Sequence, residues 1–289
     1  MHKYLVPILL TSSLFAACAP SASHAWNATG HAIVCEIAYQ ELSVRARNEV
    51  NRLIELDPGY SNYAASCYYP DTVDDGRRAE HYVNFPRDTE SVTHTNCPAA
   101  RHCVFSAIHK ELGTLRQAGV DEARLASIKY LGHWIGDLHQ PLHVSFADDR
   151  GGNDISATGD CRGNLHSVWD GCIIKLRLLG KPTAENIIRY ARQARKSITD
   201  QTRAEMIASD IRQWADESFQ LATAPHTAYC QRMGTRCAFN AAARQITRPK
   251  NARRSVSVDK AYLRKHDPIT RDRLLRAGVR LASVLNQAL

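Results

Sequence analysis

The chain has 289 residues, 44% of them hydrophobic and 23% charged, with 15 glycines, 11 prolines and a formal net charge of +8. That length fills one sizeable domain or two small ones around a real core, and the composition excludes a disordered polar chain, a collagen-like repeat and a coiled coil. The basic balance fits a polyanionic partner such as nucleic acid or anionic lipid, and fits a merely soluble surface equally well.

From Met1 to Ala25 a single charge, Lys3, precedes an apolar run from Leu5 to Ala19 and a small-residue end, Ser23-His24-Ala25. These are the three parts of a secretory signal. They predict a leader over 1–25, a folded domain over 26–289, and an exported chain, secreted or periplasmic. Phe15-Ala16-Ala17-Cys18 offers a competing lipoprotein-like cut, and composition alone does not choose between the two. Nothing later approaches 18 consecutive apolar residues, so no membrane span and no stable membrane association are expected. After the leader, apolar residues recur every three or four positions, the helical period. One stripe runs Ile33, Val34, Ile37, Ala38, Leu42, and a second runs from Val104 to Leu115, closed by Gly119. A third, Leu125 to Ile135, is stopped by Pro141; a fourth begins at Ile187; a fifth covers Ile207 to Leu221; the last runs from about Thr270 to the end. Two stretches rich in Gly, Pro, Asn and Asp, 57–98 and 146–164, read as irregular. The pattern predicts one all-α, multi-helix domain with long loops crossing one face, and the chain is expected to be a monomer.

Nine cysteines become eight once Cys18 leaves with the leader, an even number in an exported chain. Up to four disulfides are therefore expected rather than thiolate metal sites, since no Cys-x-x-Cys occurs. Near-neighbour pairing suggests Cys97–Cys103, Cys161–Cys172 and Cys230–Cys237, leaving Cys35 with Cys67, among the 105 connectivities that eight cysteines allow.

The thirteen histidines matter through their placement. In the segment from Leu131 to His143, His133 and Asp137 stand four apart, one helical turn, so imidazole and carboxylate face the same way. Pro141 then turns the chain and lets His143 come back towards them. His166 and Asp170 repeat the His-x-x-x-Asp spacing. One such pair is more often a surface ion pair; two pairs plus His143 in an exported chain indicate a metal site. If Trp26 begins the mature chain, its α-amine lies five residues before His31 and is able to ligate a metal once deprotonated. On those residues alone an apolar start and a helix-capping histidine remain the plainer reading.

Taken together the motifs resemble the zinc-dependent type I single-strand nucleases of plants, fungi and bacteria, within the zinc phospholipase C superfamily. The resemblance rests on Trp26 with Gly30-His31, Tyr69-Pro70-Asp71, His81-Tyr-Val-Asn84, the His133-to-His143 block, Gly151-Gly-Asn153 and Asn164-Leu-His166-x-x-x-Asp170, in that order. Trp214-Ala-Asp-Glu217-Ser218 and the run Arg273 to Ala282 are similar to the family's closing helices. The resemblance implies three zinc ions in a cleft. Asp71, His81, His133 and Asp137 would hold the first; His143, His166 and Asp170 the second; the Trp26 amine and carbonyl, His31 and a bridging Asp137 the third. That set requires cleavage after Ala25, which decides against the lipoprotein cut. It further implies an endonuclease acting on single-stranded DNA and RNA to give 5′-phosphate products, with 3′-nucleotidase activity on mononucleotides. Zinc lowers the pKa of a shared water towards ~7 for attack on phosphorus.

The family commonly carries an arginine shortly after the first aspartate. Here Asp74 stands there, and Arg77 or Arg78 is expected to take its place. Tyr82 and Asn84 match positions that stack on, and hydrogen-bond to, a base. His139 reads as structural or as a neighbour of the site, and His94, His102, His109, His226 and His266 as surface or core residues. Gly151-Gly152-Asn153 lacks the lysine and hydroxyl of a P-loop and reads as a turn at the cleft. Two rivals remain: a zinc phospholipase C, and a non-catalytic exported zinc-binding module. Asp170, where the phospholipases favour glutamate, argues against the first. The three-residue set His143, His166 and Asp170, which leaves a coordination position open, argues against the second.

Overall fold

A computed structural model describes residues 26–98, 102–117 and 119–289. The expected leader and its two cuts lie outside the described residues. Helix α1 (Ala28–Glu41) starts where the Asn27 side chain accepts from the Gly30 amide, and it buries the expected Ile33, Val34, Ile37 and Ala38. Helix α2 (Val44–Ile54) is capped by Ser43, and the one-turn α3 (Tyr63–Ser66) by Asn62. Helices α4 (Val104–Arg116) and α5 (Asp121–Leu138) follow. Asp121 and Glu122 complement the amino end of α5, and every residue from Ser127 to Leu138 is buried. This central helix packs against α1, α2, α4, α9 (Ile211–Thr223) and α10 (Lys260–Ala288). Gly132 permits the closeness, because a Cβ there would lie 2.3 Å from Cys67 Sγ and 2.6 Å from Cys35 Sγ.

The structure is mostly helical, as expected, and the departures have local causes. The apolar run Ile207–Leu221 is two helices, since α8 (Asp200–Ile207) ends and Asp210 caps α9 through the Arg212 and Gln213 amides. The last helix begins ten residues before the expected start, at Lys260 behind the Asp259 cap, and carries Pro268 inside it. A proline costs one hydrogen bond of the helix ladder, yet Leu263 and His266 before it and Leu274 after it are buried in one continuous helix. Helix α2 has no counterpart among the expected stripes, because its Ala46, Val50, Leu53 and Ile54 form a narrow one among charged residues. Helix α7 (Ala184–Arg195) falls where expected.

The stretches read as irregular contain short strands. β1 (Val83–Phe85) pairs in parallel with β2 (Val144–Phe146), register Val83 to Val144. β3 (Ile155–Gly159) pairs with β4 (Gly163–Asn164) and, in parallel, with β7 (Arg254–Val258). β5 (Gln231–Met233) and β6 (Arg236–Ala238) make a hairpin turned by Gly234 at φ +62°. After β4 the chain passes through the short α6 (Leu165–Ser167) into π-helical turns over Val168–Cys172 and Ile174–Leu179. All four disulfides follow the near-neighbour scheme: Cys35–Cys67, Cys97–Cys103, Cys161–Cys172 and Cys230–Cys237. No helix among the described residues is long and apolar enough to cross a membrane.

Candidate metal centre and cleft

Helix α5 delivers His133 and Asp137 to one face, with His133 Nε2 3.4 Å from Asp137 Oδ2. His81, closing a 3-10 turn over Arg78–His81, brings Nδ1 to 3.2 Å from the same oxygen and 3.1 Å from His133 Nε2. Asp71, on the 3-10 turn Tyr69–Asp71, places Oδ1 3.5 Å from both His81 Nδ1 and His133 Nε2. On the other side of Asp137, His31 of α1 sets Nε2 3.3 Å from Oδ1, its ring stacked on His133 at 3.8 Å. One carboxylate thus meets three imidazoles. A separate group forms from His143, on the 3-10 turn Pro141–His143, with His166 and Asp170. His143 Nε2 and His166 Nε2 are 3.0 Å apart, and His166 Nε2 lies 3.6 Å from Asp170 Oδ1. Within each of the three sets His31/His133/Asp137, Asp71/His81/His133 and His143/His166/Asp170, the ligand atoms lie within 4.8 Å of one another.

Backbone carbonyls fix the rings. His133 Nδ1 meets Cys67 O at 2.8 Å, His143 Nδ1 meets His81 O at 2.6 Å, and His166 Nδ1 meets Gly151 O at 2.7 Å. A carbonyl only accepts, so each Nδ1 carries the proton and each Nε2 presents a lone pair inward. Two such lone pairs 3.0 Å apart repel unless a cation lies between them. Nitrogens ligating a tetrahedral zinc at ~2.0–2.1 Å stand about 3.3 Å apart, close to the spacing here.

Electrostatics point the same way. Burial, then the neighbouring His133, drives the His31 imidazole well below its usual range, and burial with His166 does so for His143. Burial takes His166 to about 4, against the Gly151 carbonyl bond that raises it. Asp137 is pushed well above the carboxylate range by burial, then by Asp71 and Asp170. Asp170 is raised by burial over the opposing hydrogen bond from Gln140. Both His31 ring nitrogens and both Asp137 oxygens are buried without a hydrogen-bond partner. Buried polar atoms normally have one, and neutral imidazoles facing buried carboxyls are the donor set that divalent cations take. These residues fit a metal cluster.

Trp26 is fully buried, its indole nitrogen donating to Gly136 O at 2.9 Å, so the start of the described chain lies against α5 beside Asp137. The Asn27 amide donates to Asp170 O at 2.9 Å. A cleft of about 760 Å³ opens over His143 and His166, lined also by Arg78, Tyr82, Asn84, His102, Arg150, Asn153 and Asn164. Tyr82 is 39% exposed, and Ser145 Oγ donates to Asn84 Oδ1 at 3.1 Å. Arg77 does not join it. Its guanidinium lies 2.6 Å from both Glu80 and Glu111 and stacks over Tyr130, so of the two expected arginines it is Arg78 that lines the cleft.

His139 is structural: it bonds Ile135 O and Arg280. His226 and His266 pack on each other, His266 fully buried, while His94, His102 and His109 are exposed. The glycine turn does more than border the cleft, because Gly151 at φ +64° supplies the carbonyl that orients His166. Gln140, unremarked in the sequence, reaches Asp170 Oδ1 at 2.5 Å. Its position inside the His133-to-His143 block was the available signal.

The S1/P1 nuclease family model matches residues 26–289. The chain belongs to the S1/P1 nuclease family. It is 26% identical to Endonuclease 1 of Arabidopsis thaliana over 97% of this chain and 92% of that protein, and 27% identical to Endonuclease 2 over 91% and 90%. Nuclease P1 of Penicillium citrinum is 30% identical over 50% of this chain and 57% of its own. As an S1/P1 nuclease the chain is an enzyme that hydrolyses phosphodiester bonds of nucleic acids, which favours the nuclease over the phospholipase and non-catalytic readings. The His and Asp groups of this S1/P1 nuclease are its candidate metal centre.

Proposed function

We propose that the chain is an exported zinc-dependent endonuclease that cuts single-stranded DNA and RNA to 5′-phosphate products, with 3′-nucleotidase activity on mononucleotides. The observation that carries the reading is Asp137, within 3.4 Å of His31, His81 and His133, a geometry suited to one carboxylate shared between two cations. Asp71, His81, His133 and Asp137 hold one zinc; His143, His166 and Asp170 a second; His31, Asp137 and the Trp26 amine and carbonyl a third. When bound, such ions lower the pKa of water and neutralise charge gathering on phosphoryl oxygens. The residues of the chain do the rest. The carbonyl bonds turn Nε2 of His133, His143 and His166 inward, and burial keeps His31, His143 and His166 neutral against the carbonyls that favour protonation of the last two. Arg78 at the cleft wall, rather than Arg77, offers a cation to the phosphodiester as charge develops. Tyr82 stacks on a base and Asn84 hydrogen-bonds its edge; stacking tolerates any base, and an unpaired strand exposes its faces.

The third site needs a free amine on Trp26, so the proposal includes removal of residues 1–25 as an export leader and a secreted or periplasmic, monomeric enzyme. A family match beginning at Trp26 supports that cut. The test measures zinc content and hydrolysis of the cleaved protein on single-stranded DNA, RNA and phosphatidylcholine, with and without chelator. About three zincs per chain and chelator-sensitive release of 5′-nucleotides are expected. Lipid cleavage alone, or hydrolysis indifferent to chelator, would overturn the reading.

A further inference from the structure

Gln140 is fully buried and carries both ends of its amide in short hydrogen bonds. Its Oε1 accepts from the Leu142 amide at 2.6 Å, and its Nε2 donates to Asp170 Oδ1 at 2.5 Å. The orientation is forced, because a backbone N–H only donates and must face the oxygen, which turns the NH₂ group onto Asp170. The main chain of the same residue links the other side of the centre. Its N–H donates to Asp137 O at 3.0 Å, and its carbonyl accepts from the His143 amide at 3.0 Å. Asp170 arrives on a separate segment, the π-helical turn Val168–Cys172. Gln140 is therefore where the segment bearing Asp137 and His143 is fastened to the segment bearing Asp170.

We infer that Gln140 is a positioning residue that fixes the Asp170 carboxylate relative to His143, and so sets the affinity of the His143/His166/Asp170 site for its metal; this rests on the metal-centre reading above. A donor on one carboxylate oxygen fixes the plane of the group and the direction of its remaining lone pairs. Loss of such an outer partner typically costs a metal site about 10–100-fold in affinity or activity. Gln140→Glu keeps the shape but turns a carboxylate onto Asp170. Gln140→Met keeps the length and removes both hydrogen bonds without burying a charge.

The experiment loads wild type and both variants with zinc and titrates each with a chelator. It follows bound zinc, kcat and KM on single-stranded DNA, and the Tm of the fully chelated proteins. Both variants are expected to release one zinc at about 10–100-fold lower chelator, the remainder leaving as in wild type. Their kcat should fall with KM little changed, and the chelated Tm of Gln140→Met should drop by no more than the few degrees that two lost buried hydrogen bonds cost. Wild-type zinc retention in both variants would overturn the assignment alone, as would loss of all bound zinc together with a collapse of the chelated Tm in Gln140→Met. A wild-type chain that binds no zinc would overturn the metal centre and the assignment with it.

Discussion

Three imidazoles converge on Asp137, from α1, α5 and the Arg78–His81 turn. Asp137→Ala is expected to lose at least one zinc and nearly all hydrolysis, well beyond the roughly 10–100-fold cost of losing an outer partner. Metal analysis beside a rate assay checks it, and three zincs with full rate would remove Asp137 from the bridging role. Tyr82→Ala is expected to raise KM by about 5- to 150-fold, equivalent to ~1–3 kcal/mol of stacking per base, with kcat far less affected. Steady-state kinetics on an oligonucleotide checks the split. The His133/Asp137 and His166/Asp170 pairs were legible because four residues make one helical turn whatever the rest of the fold does. The carbonyls of Cys67, His81 and Gly151 that orient the rings were not, since any residue supplies a carbonyl. Nor was the division between Arg77 and Arg78, which turns on Glu111, 34 positions beyond Arg77.

At the scale of elements, α5 is held where Gly132 lets it sit on the Cys35–Cys67 bridge. That bridge fastens α1, one turn beyond His31, to the residue whose carbonyl orients His133. Gly132→Ala forces a methyl group against both sulfurs and the Tyr63 hydroxyl, so a loss of about 1–3 kcal/mol is expected. Thermal melts check it, and an unchanged Tm would mean the bridge yields. The helices with wide apolar stripes, α1, α4 and α5, were readable for the reason that they are buried: their period repeats on a broad face. Helix α2 and the Ser209-Asp210 break show the limit, the first too polar for its stripe to stand out, the second hidden because apolar spacing continues across it. Strands of two to five residues leave no period to detect, and β3 takes its parallel partner from residues 254–258, a pairing no local pattern announces.

Across the whole molecule, one carboxylate ties the last helix to the helix before it. Glu217 of α9 accepts at 2.6 Å from Arg273 and from both terminal nitrogens of Arg280, while Arg280 also bonds His139 at the end of α5. Burial alone would raise the Glu217 carboxyl, but the Arg280 hydrogen bonds and the Arg273 charge outweigh it and lower it from 4.5 to about 2. A depressed carboxyl stabilises fully above its unfolded value, so this contribution is present above about pH 4.5 and lost as pH falls through about 2. Glu217→Gln is therefore expected to be less stable near neutrality and to lose less on going from pH 4.5 to 2; parallel slopes in denaturant melts across that window would refute the linkage. The same α10 lies across α1, where Gly278 admits Ile37 so closely that a Cβ would come within 2.5 Å. Among the described residues, then, the first helix and the last are mutual partners, and the contact with the longest span in sequence is also among the most central. Such contacts form late, because closing the intervening chain costs entropy before the contact returns any. Since α1 also carries His31, α10 backs the wall from which that imidazole reaches Asp137, and the candidate centre rests on the two helices farthest apart in the described sequence.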